Sequence, residues 1–320
     1  MRESLYFETS AVNSLYNFFS RDEKYSSVKT KALQISKKRC WYISSATLWE
    51  IFKTKDEDLR FALFDFSRCL FYDHLITSPE EIIINYIKSG CPLIEKQYCL
   101  NSSEYGLFAK EWRHACTDLN FAFQPDEVQL KQRTDSFQFL GKYLYKKQNG
   151  YELRSYKEIT DYSYKFLGIR FESLIKKLFE ELGNNNSDEN KQLVAVVFHV
   201  TLIIFCYGIT LNQQLVESFW DSTGINEPSS RIEWIVENHV SIFFRGPLAN
   251  IARMMVTQST QKYGRGLIFD SLHSMYTTYC NLYFTSDKHF LEFKDKNKDP
   301  NILKIKHIDE MTNNLILVQQ

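Results

Sequence analysis

Glycine and proline are scarce in this chain, and their scarcity limits the folds that it can adopt. Among its 320 residues are only 11 glycines and 6 prolines. These two residues supply most tight turns, so a fold of many short strands joined by turns is disfavoured. The composition favours long helices instead.

The chain also lacks net charge, since its 39 basic residues are balanced by 39 acidic residues. Charge balance therefore does not indicate a nucleic-acid partner, although a local basic patch can exist on a neutral protein. Hydrophobic residues make up 44% of the chain and aromatic residues 15%, which is typical of a globular protein rather than a disordered one.

The seven cysteines form no C-x-x-C pair, and their odd, dispersed arrangement is typical of reduced thiols in a cytosolic protein. Cys91, Cys99, His114 and Cys116 are zinc-binding residue types, but their spacing is not that of a zinc finger. The first residues lack the cationic and apolar regions of a signal peptide. We therefore expect a cytoplasmic protein.

One apolar run, over residues 193–211, is about long enough to cross a bilayer. It contains His199, two threonines and a glycine, and its ends show neither a Lys/Arg bias nor an aromatic belt. A membrane anchor is one interpretation of this run. We favour the other, a buried central helix in a helical domain, and expect no membrane association.

Short apolar runs alternate with amphipathic helical patterns at both ends of the chain. The predicted strands cover residues 5–7, 40–43, 281–284 and 302–305. Alternating strands and helices indicate a parallel sheet with right-handed crossovers. The sequence therefore predicts an α/β domain built from residues 1–90 and 262–320. A mostly α-helical insertion over residues 91–261 interrupts it.

An acidic residue stands near each predicted junction between a strand and a helix. Glu8 follows the first strand, Glu50 lies on the helix after the second, Asp270 begins a helix, and Asp287 follows the strand at 281–284. Ligands of open α/β sheets bind at the carboxyl ends of the strands, where these acids would converge. Clustered carboxylates repel one another and so raise each other's pKa, and a bound divalent cation offsets that repulsion. Mg²⁺ or Mn²⁺ prefers oxygen ligands and can activate water against a phosphodiester.

Three stretches that carry these acids resemble the PIN domain, a family of metal-dependent nucleases. They are residues 5–13 (LYFETSAVN), 43–54 (ISSATLWEIFKT) and 270–290, the last with an Asp-x-x-His helix and a strand ending in Phe-Thr-Ser-Asp-Lys. The resemblance covers roughly residues 1–90 and 262–320. It implies a PIN-like three-layer α/β/α fold with a central, mainly parallel sheet.

The resemblance also implies a site and an activity. The catalytic, metal-binding positions correspond to Glu8, Glu50, Asp270 and Asp287, with one or two Mg²⁺ or Mn²⁺ ions. The supporting positions correspond to Ser10, Asn13 and Ser286. The implied activity is that of an endoribonuclease, with RNA rather than DNA as substrate and a role as a toxin or defence effector. The resemblance does not cover the helical insertion, which is a candidate for shaping substrate access or for binding a partner protein or a second copy of the chain.

Two basic residues are candidates for contacting the phosphates of a substrate. Arg265 lies in the turn before the Asp270 helix, and Lys288 directly follows Asp287. Charged residues of this kind more often lie on solvated surfaces, so each has an ordinary alternative role.

The acids have ordinary alternatives as well. Asp270 could be a helix-capping acid, Glu50 a solvent-facing helix residue and Asp287 a loop acid. The first acid of the family is usually aspartate, whereas Glu8 is one methylene longer, and a displacement of about an ångström can be costly in rate. A catalytically inactive scaffold that binds RNA or protein is therefore the alternative function.

Overall fold

The structure is a computed structural model that describes residues 4–20, 33, 36, 40–71, 74–76, 78–90, 109–118, 127–147, 151–208, 213–258, 267–297, 299–300 and 302–317. The strands in these ranges are β1 (Ser4–Phe7), β2 (Cys40–Ser44), β3 (Leu75–Ile76), β4 (Tyr145–Lys147), β5 (Tyr151–Leu153), β6 (Leu282–Thr285) and β7 (Ile305–His307).

Helices dominate the rest of the described chain. They are α1 (Thr9–Ser20), α2 (Ser45–Phe52), α3 (Glu57–Phe71), α4 (Pro79–Lys88), α5 (Ala109–Thr117), α6 (Glu127–Leu144), α7 (Tyr156–Leu167), α8 (Glu172–Glu181), α9 (Asp188–Val200), α10 (Gln213–Thr223), α11 (Pro228–Asn238), α12 (Pro247–Gln258), α13 (Leu267–Ser274), α14 (Lys288–Lys296) and α15 (Ile308–Leu317). Short 3₁₀-helices cover Gly183–Asn185, Val240–Phe243 and Met275–Thr278.

The chain divides into two compact units. The first unit comprises Met1–Ser78, Glu95–Leu130 and Tyr276–Gln320, and the second comprises Pro79–Ile94 and Lys131–Met275. Helices α4 and α13 thus belong to the second unit. The domain boundaries predicted near residues 90 and 262 stay a prediction.

The first unit is built on a five-stranded parallel sheet in the order β3-β2-β1-β6-β7. This confirms the predicted α/β class with a central parallel sheet, an arrangement consistent with three α/β/α layers. Strand β1 is central, and its Phe7 pairs with Phe284 of β6. Because β2, β1 and β6 run in the same direction, their carboxyl ends lie at one edge of the sheet.

Aromatic side chains from these strands form the core of the first unit. Tyr6 and Phe7 of β1 are fully buried. The Tyr6 ring lies 4.9 Å from that of Tyr276 and 5.0 Å from that of Tyr283, while Phe7 lies 5.0 Å from Trp41. A strand buried on both faces shows a continuous apolar run rather than an alternating one, as β1 does.

The apolar run at residues 193–211 forms the core of the second unit as far as the structure describes it. Helix α9 continues into a π-helix over Thr201–Cys206, and every side chain from Val194 to Cys206 is buried. In the described part of the chain, Asp188–Cys206 is the one helix long and apolar enough to cross a membrane, and 72% of its apolar window is buried inside the protein. Burial of this extent is typical of a core helix.

Two local details differ from the predictions. Strand β7 begins at Ile305 rather than at residue 302, because its pairing with β6 starts where Ile305 meets Tyr283. Helix α13 begins at Leu267, so Asp270 lies inside its first turn rather than at its start.

Candidate active site

Glu8 lies between β1 and α1, and its carboxylate caps the helix. The Glu8 side chain accepts hydrogen bonds from the backbone N–H of Ser10 at 2.8 Å and of Ala11 at 3.2 Å. It also accepts one from the Ser10 hydroxyl. The first N–H groups of a helix have no partner within the helix, and a carboxylate satisfies them while complementing the helix dipole. Glu8 is only 5% exposed. These contacts hold its carboxylate at the carboxyl end of β1.

Ser10 connects this cap to the end of the neighbouring strand β6. Its hydroxyl accepts a hydrogen bond from the backbone N–H of Ser286 at 2.8 Å, and the Ser286 hydroxyl donates to the Ser10 carbonyl at 3.1 Å. The hydroxyls of Ser14 and Ser286 lie 3.0 Å apart, and that of Thr285 lies 3.4 Å from that of Ser10. The first turns of α1 and the end of β6 therefore form one hydroxyl-rich network beside Glu8.

Asp287 lies two residues after the end of β6 and caps helix α14. Its Oδ1 atom accepts a hydrogen bond from the backbone N–H of His289 at 2.7 Å, and its own N–H donates to the Thr285 hydroxyl at 2.8 Å. The aspartate is half-buried. The prediction of an acid at the carboxyl end of this strand matches its position, and the cap explains how the side chain is oriented.

Glu50 lies on α2, the helix that follows β2, and is half-buried. The Thr9 hydroxyl, in the first turn of α1, donates a hydrogen bond to its Oε2 atom. Lys53 stands one turn further along: burial lowers its pKa, and the negative charge of Glu50 partly offsets that effect. The Lys53 ammonium lies 4.1 Å from the centre of the Trp49 ring. Glu50 is thus held by a hydroxyl from the neighbouring helix and faces a cation.

Asp270 differs from the other three acids because it belongs to the second unit. It is half-buried in the first turn of α13, and the hydroxyl of the next residue, Ser271, donates to Gln258 of α12 at 3.1 Å. His273, one turn later, is buried, in line with a packed role. The first unit therefore holds three of the four predicted acids.

The remaining predicted residues occupy varied positions. Asn13 lies on α1, and its side-chain oxygen is buried with no hydrogen-bond partner among the described residues. Lys288 is exposed as the first residue of α14. Arg265 lies outside the described residues, as do Cys91 and Cys99. Cys69, Cys116, Cys206 and Cys280 are free thiols.

Three residues of the site were missed from the sequence: Thr9, Thr285 and Lys53. The run Glu8-Thr9-Ser10 carried a signal, since hydroxyl residues beside an acid at a helix start are typical of capping and support. Thr285 and Lys53 gave no comparable signal, because their relevance depends on neighbours that are distant in sequence.

The donor chemistry of the first unit suits a hard divalent cation, since carboxylates and hydroxyls surround the carboxyl ends of β1 and β6. Within the described ranges, no group of three or more His, Cys, Asp or Glu residues is arranged to hold a metal ion. Mg²⁺ commonly uses only one or two protein carboxylates and completes its shell with water and substrate phosphates. Oxygen donors of this kind therefore fit Mg²⁺ or Mn²⁺ better than they fit a softer metal.

No protein-family model, curated protein or solved structure matches the chain. Its function must therefore be argued from its own residues.

Proposed function

We propose that the chain is a PIN-like, metal-dependent nuclease of the cytoplasm that acts on RNA. The observation that carries the proposal is the network around the first turn of α1. There Ser10 holds Glu8 and Thr9 holds Glu50, while Ser286 joins the same turn to the strand before Asp287. Hydroxyls thereby support the carboxylates of Glu8 and Glu50, while Asp287 follows the neighbouring parallel strand β6. Hydroxyl support of this kind orients carboxylates for metal binding.

In this proposal Glu8, Glu50 and Asp287 of the first unit hold one or two Mg²⁺ or Mn²⁺ ions. Asp270 stays a metal ligand predicted from the sequence pattern alone. A divalent ion of this class makes water nucleophilic at neutral pH and neutralises the charge on the leaving oxygen. Ser10 and the N–H groups of α1 keep the Glu8 carboxylate oriented, and Thr285 orients the backbone of Asp287. Lys288, exposed beside Asp287, contacts a substrate phosphate.

The test uses purified protein and end-labelled single-stranded RNA and DNA, with Mn²⁺, Mg²⁺ or a chelator. We expect RNA cleavage that requires the metal. We expect Asp287→Asn to lower its rate by about 100-fold or more, because loss of a metal ligand should cost at least as much as loss of a residue that supports one. Asparagine is also a good N-cap, so this variant removes the charge while it preserves the start of α14. Asp270→Asn should have a similar effect.

The matched control is Asp295→Asn, an exposed acid on the same helix α14, which should leave the rate unchanged. Metal-dependent cleavage at the original rate in Asp270→Asn and Asp287→Asn would refute the assignment of these acids to a nuclease active site.

A specific observation favours a second candidate, a catalytically inactive scaffold that binds RNA or protein. The Glu8 carboxylate is buried and accepts three hydrogen bonds from the start of α1, so it serves the helix as a structural cap. The substitution Glu8→Asp separates the two functions. A gain of cleavage from an inactive parent supports the scaffold, whereas cleavage by the unmodified protein excludes it.

A further inference from the structure

We infer that Thr9 is a positioning residue of the candidate active site, whose hydroxyl holds the Glu50 carboxylate in a fixed place relative to Glu8. This role rests on the proposed function, because it assigns to Thr9 the orientation of a metal-binding carboxylate. Thr9 lies in the stretch 5–13 that resembles PIN domains, but neither the four-acid pattern nor the predicted supporting positions assign it a role.

The contact itself has a defined direction. An ionised carboxylate is only an acceptor, so the Thr9 hydroxyl is the donor to Glu50 Oε2. Glutamate has a flexible side chain that loses rotamer freedom whenever it is held in one place. A hydroxyl on a neighbouring helix supplies that restraint before any ion binds, so less freedom is lost at binding.

The placement of Thr9 follows from the order of strands in the sheet. Strand β1 has β2 on one side and β6 on the other. Consecutive residues of a helix point about 100° apart, since a turn contains 3.6 residues. Thr9 therefore reaches α2, which follows β2, while Ser10 reaches Ser286 at the end of β6.

The first turn of α1, which Glu8 caps, is consequently bonded both to α2 and to the end of β6. Glu8 is held by Ser10 and by the helix N–H groups, and Glu50 is held by the residue between Glu8 and Ser10. The relative position of the two carboxylates thus depends on two adjacent hydroxyls of a single rigid turn. Small displacements of such groups are costly, because binding and catalysis require a near-correct geometry.

Threonine suits this role because branching at Cβ restricts its side-chain rotation in a helix. Valine has nearly the same shape and lacks the hydroxyl, so Thr9→Val removes the hydrogen bond while it preserves packing. Thr9→Ser retains the hydroxyl and loses a methyl group. The pair separates the effect of the hydrogen bond from the effect of shape.

The experiment measures Mn²⁺ binding to the full chain without nucleic acid, by electron paramagnetic resonance of free Mn²⁺, and then kcat and KM for RNA. We expect Thr9→Val to weaken Mn²⁺ binding by about 10-fold and to lower kcat more than it changes KM. Thr9→Ser should stay within about twofold of the unmodified protein in both measurements, because it retains the donor.

The control variant is Thr117→Val on α5, whose exposed hydroxyl bonds only to carbonyls of its own helix in the described structure. It should leave Mn²⁺ binding unchanged. The thermal midpoint of each variant is measured alongside, and the binding loss in Thr9→Val should appear without a matching loss of folding.

The outcomes distinguish this role from the proposed function. If the unmodified protein binds Mn²⁺ and Thr9→Val binds it equally well, the role of Thr9 is refuted while the nuclease proposal stands. If Thr9→Ser loses as much binding as Thr9→Val, shape rather than the hydroxyl matters, and the role is again refuted. If the unmodified protein neither binds Mn²⁺ nor cleaves RNA, both proposals fail together.

Discussion

His199 lies in the core of the second unit, and its enclosure makes the stability of the protein depend on pH. The residue is fully buried, with the Phe198 ring 5.2 Å and the Tyr143 ring 5.8 Å from its own. Its Nδ1 atom hydrogen-bonds to the Ala195 carbonyl at 2.7 Å, so the neutral ring carries its proton there. The Nε2 atom is buried without a partner among the described residues. Protonating Nε2 would bury an unpaired charge, which is why burial lowers the pKa of His199 to about 4.

The size and sign of the effect follow from this pKa. Between about pH 4 and pH 6.5 the unfolded chain is protonated at this position while the folded chain is not. The unfolded state therefore binds the proton more tightly, and stability falls as the pH is lowered through this window. Since one pKa unit is worth about 1.4 kcal/mol, the full loss is about 3 kcal/mol, of which about 2 kcal/mol is lost between pH 7 and pH 5.

The measurement is the free energy of unfolding in urea at a series of pH values from 7 to 5, for the unmodified protein and for His199→Phe. Phenylalanine retains an aromatic ring beside Tyr143 and cannot titrate. The variant should lose about 2 kcal/mol less than the parent over this range. His199→Gln, which also cannot titrate, should flatten the pH dependence in the same way. An equal pH dependence in the parent and both variants would refute the reasoning.

Two further predictions concern backbone features of the second unit. Ser155→Ala removes the capping box that Ser155 and Glu158 form at the start of α7, and urea unfolding should show a loss of about 1 kcal/mol that Ser155→Thr largely avoids. Gly246→Ala should lower the free energy of unfolding by about 2 kcal/mol or more. The reason is that φ is +90° at Gly246 and that the added Cβ would lie 2.6 Å from the Tyr86 ring. The control Gly168→Ala, also at positive φ but in open space, should lower the thermal midpoint less. Equal losses at the two glycines would contradict the steric explanation.

The class of fold could be predicted from the sequence because its signals are local. The apolar runs at β1, β2 and β6 are short and bounded by polar residues, and each became a strand close to its predicted range. Pro79 is the first residue of α4, as its fixed φ favours. The buried central helix was also predictable, since an apolar run that long needs an enclosing core.

The candidate site could be predicted only in part. The positions of Glu8 and Asp287 after their strands are local properties, and both were predicted. The contact between Thr9 and Glu50 joins residues 41 apart, and that between Ser10 and Ser286 joins residues 276 apart. No local pattern encodes such pairs, because they depend on which strands become neighbours in the sheet.

The assignment of Asp270 to the second unit illustrates the same limit of prediction from sequence. The pattern of acids predicted that Asp270 joins the other three at one edge of the sheet, whereas α13 packs with α12 and belongs to the second unit. Membership of a compact unit is a property of tertiary packing. The role of Asp270 must consequently be tested by the cleavage rate of Asp270→Asn, because the sequence pattern of acids does not decide it.

The sequence by itself determined where strands β1, β2 and β6 form, and which acids stand near the junctions of strands and helices, because hydrophobic periodicity and capping preferences act over a few residues. Only the tertiary structure decided that β1 lies between β2 and β6 and that one turn of α1 holds both Glu8 and Glu50. The physical reason is that neighbours in a parallel sheet are chosen by burial of the whole core, so the contacts that orient a carboxylate arise only after distant segments have packed together.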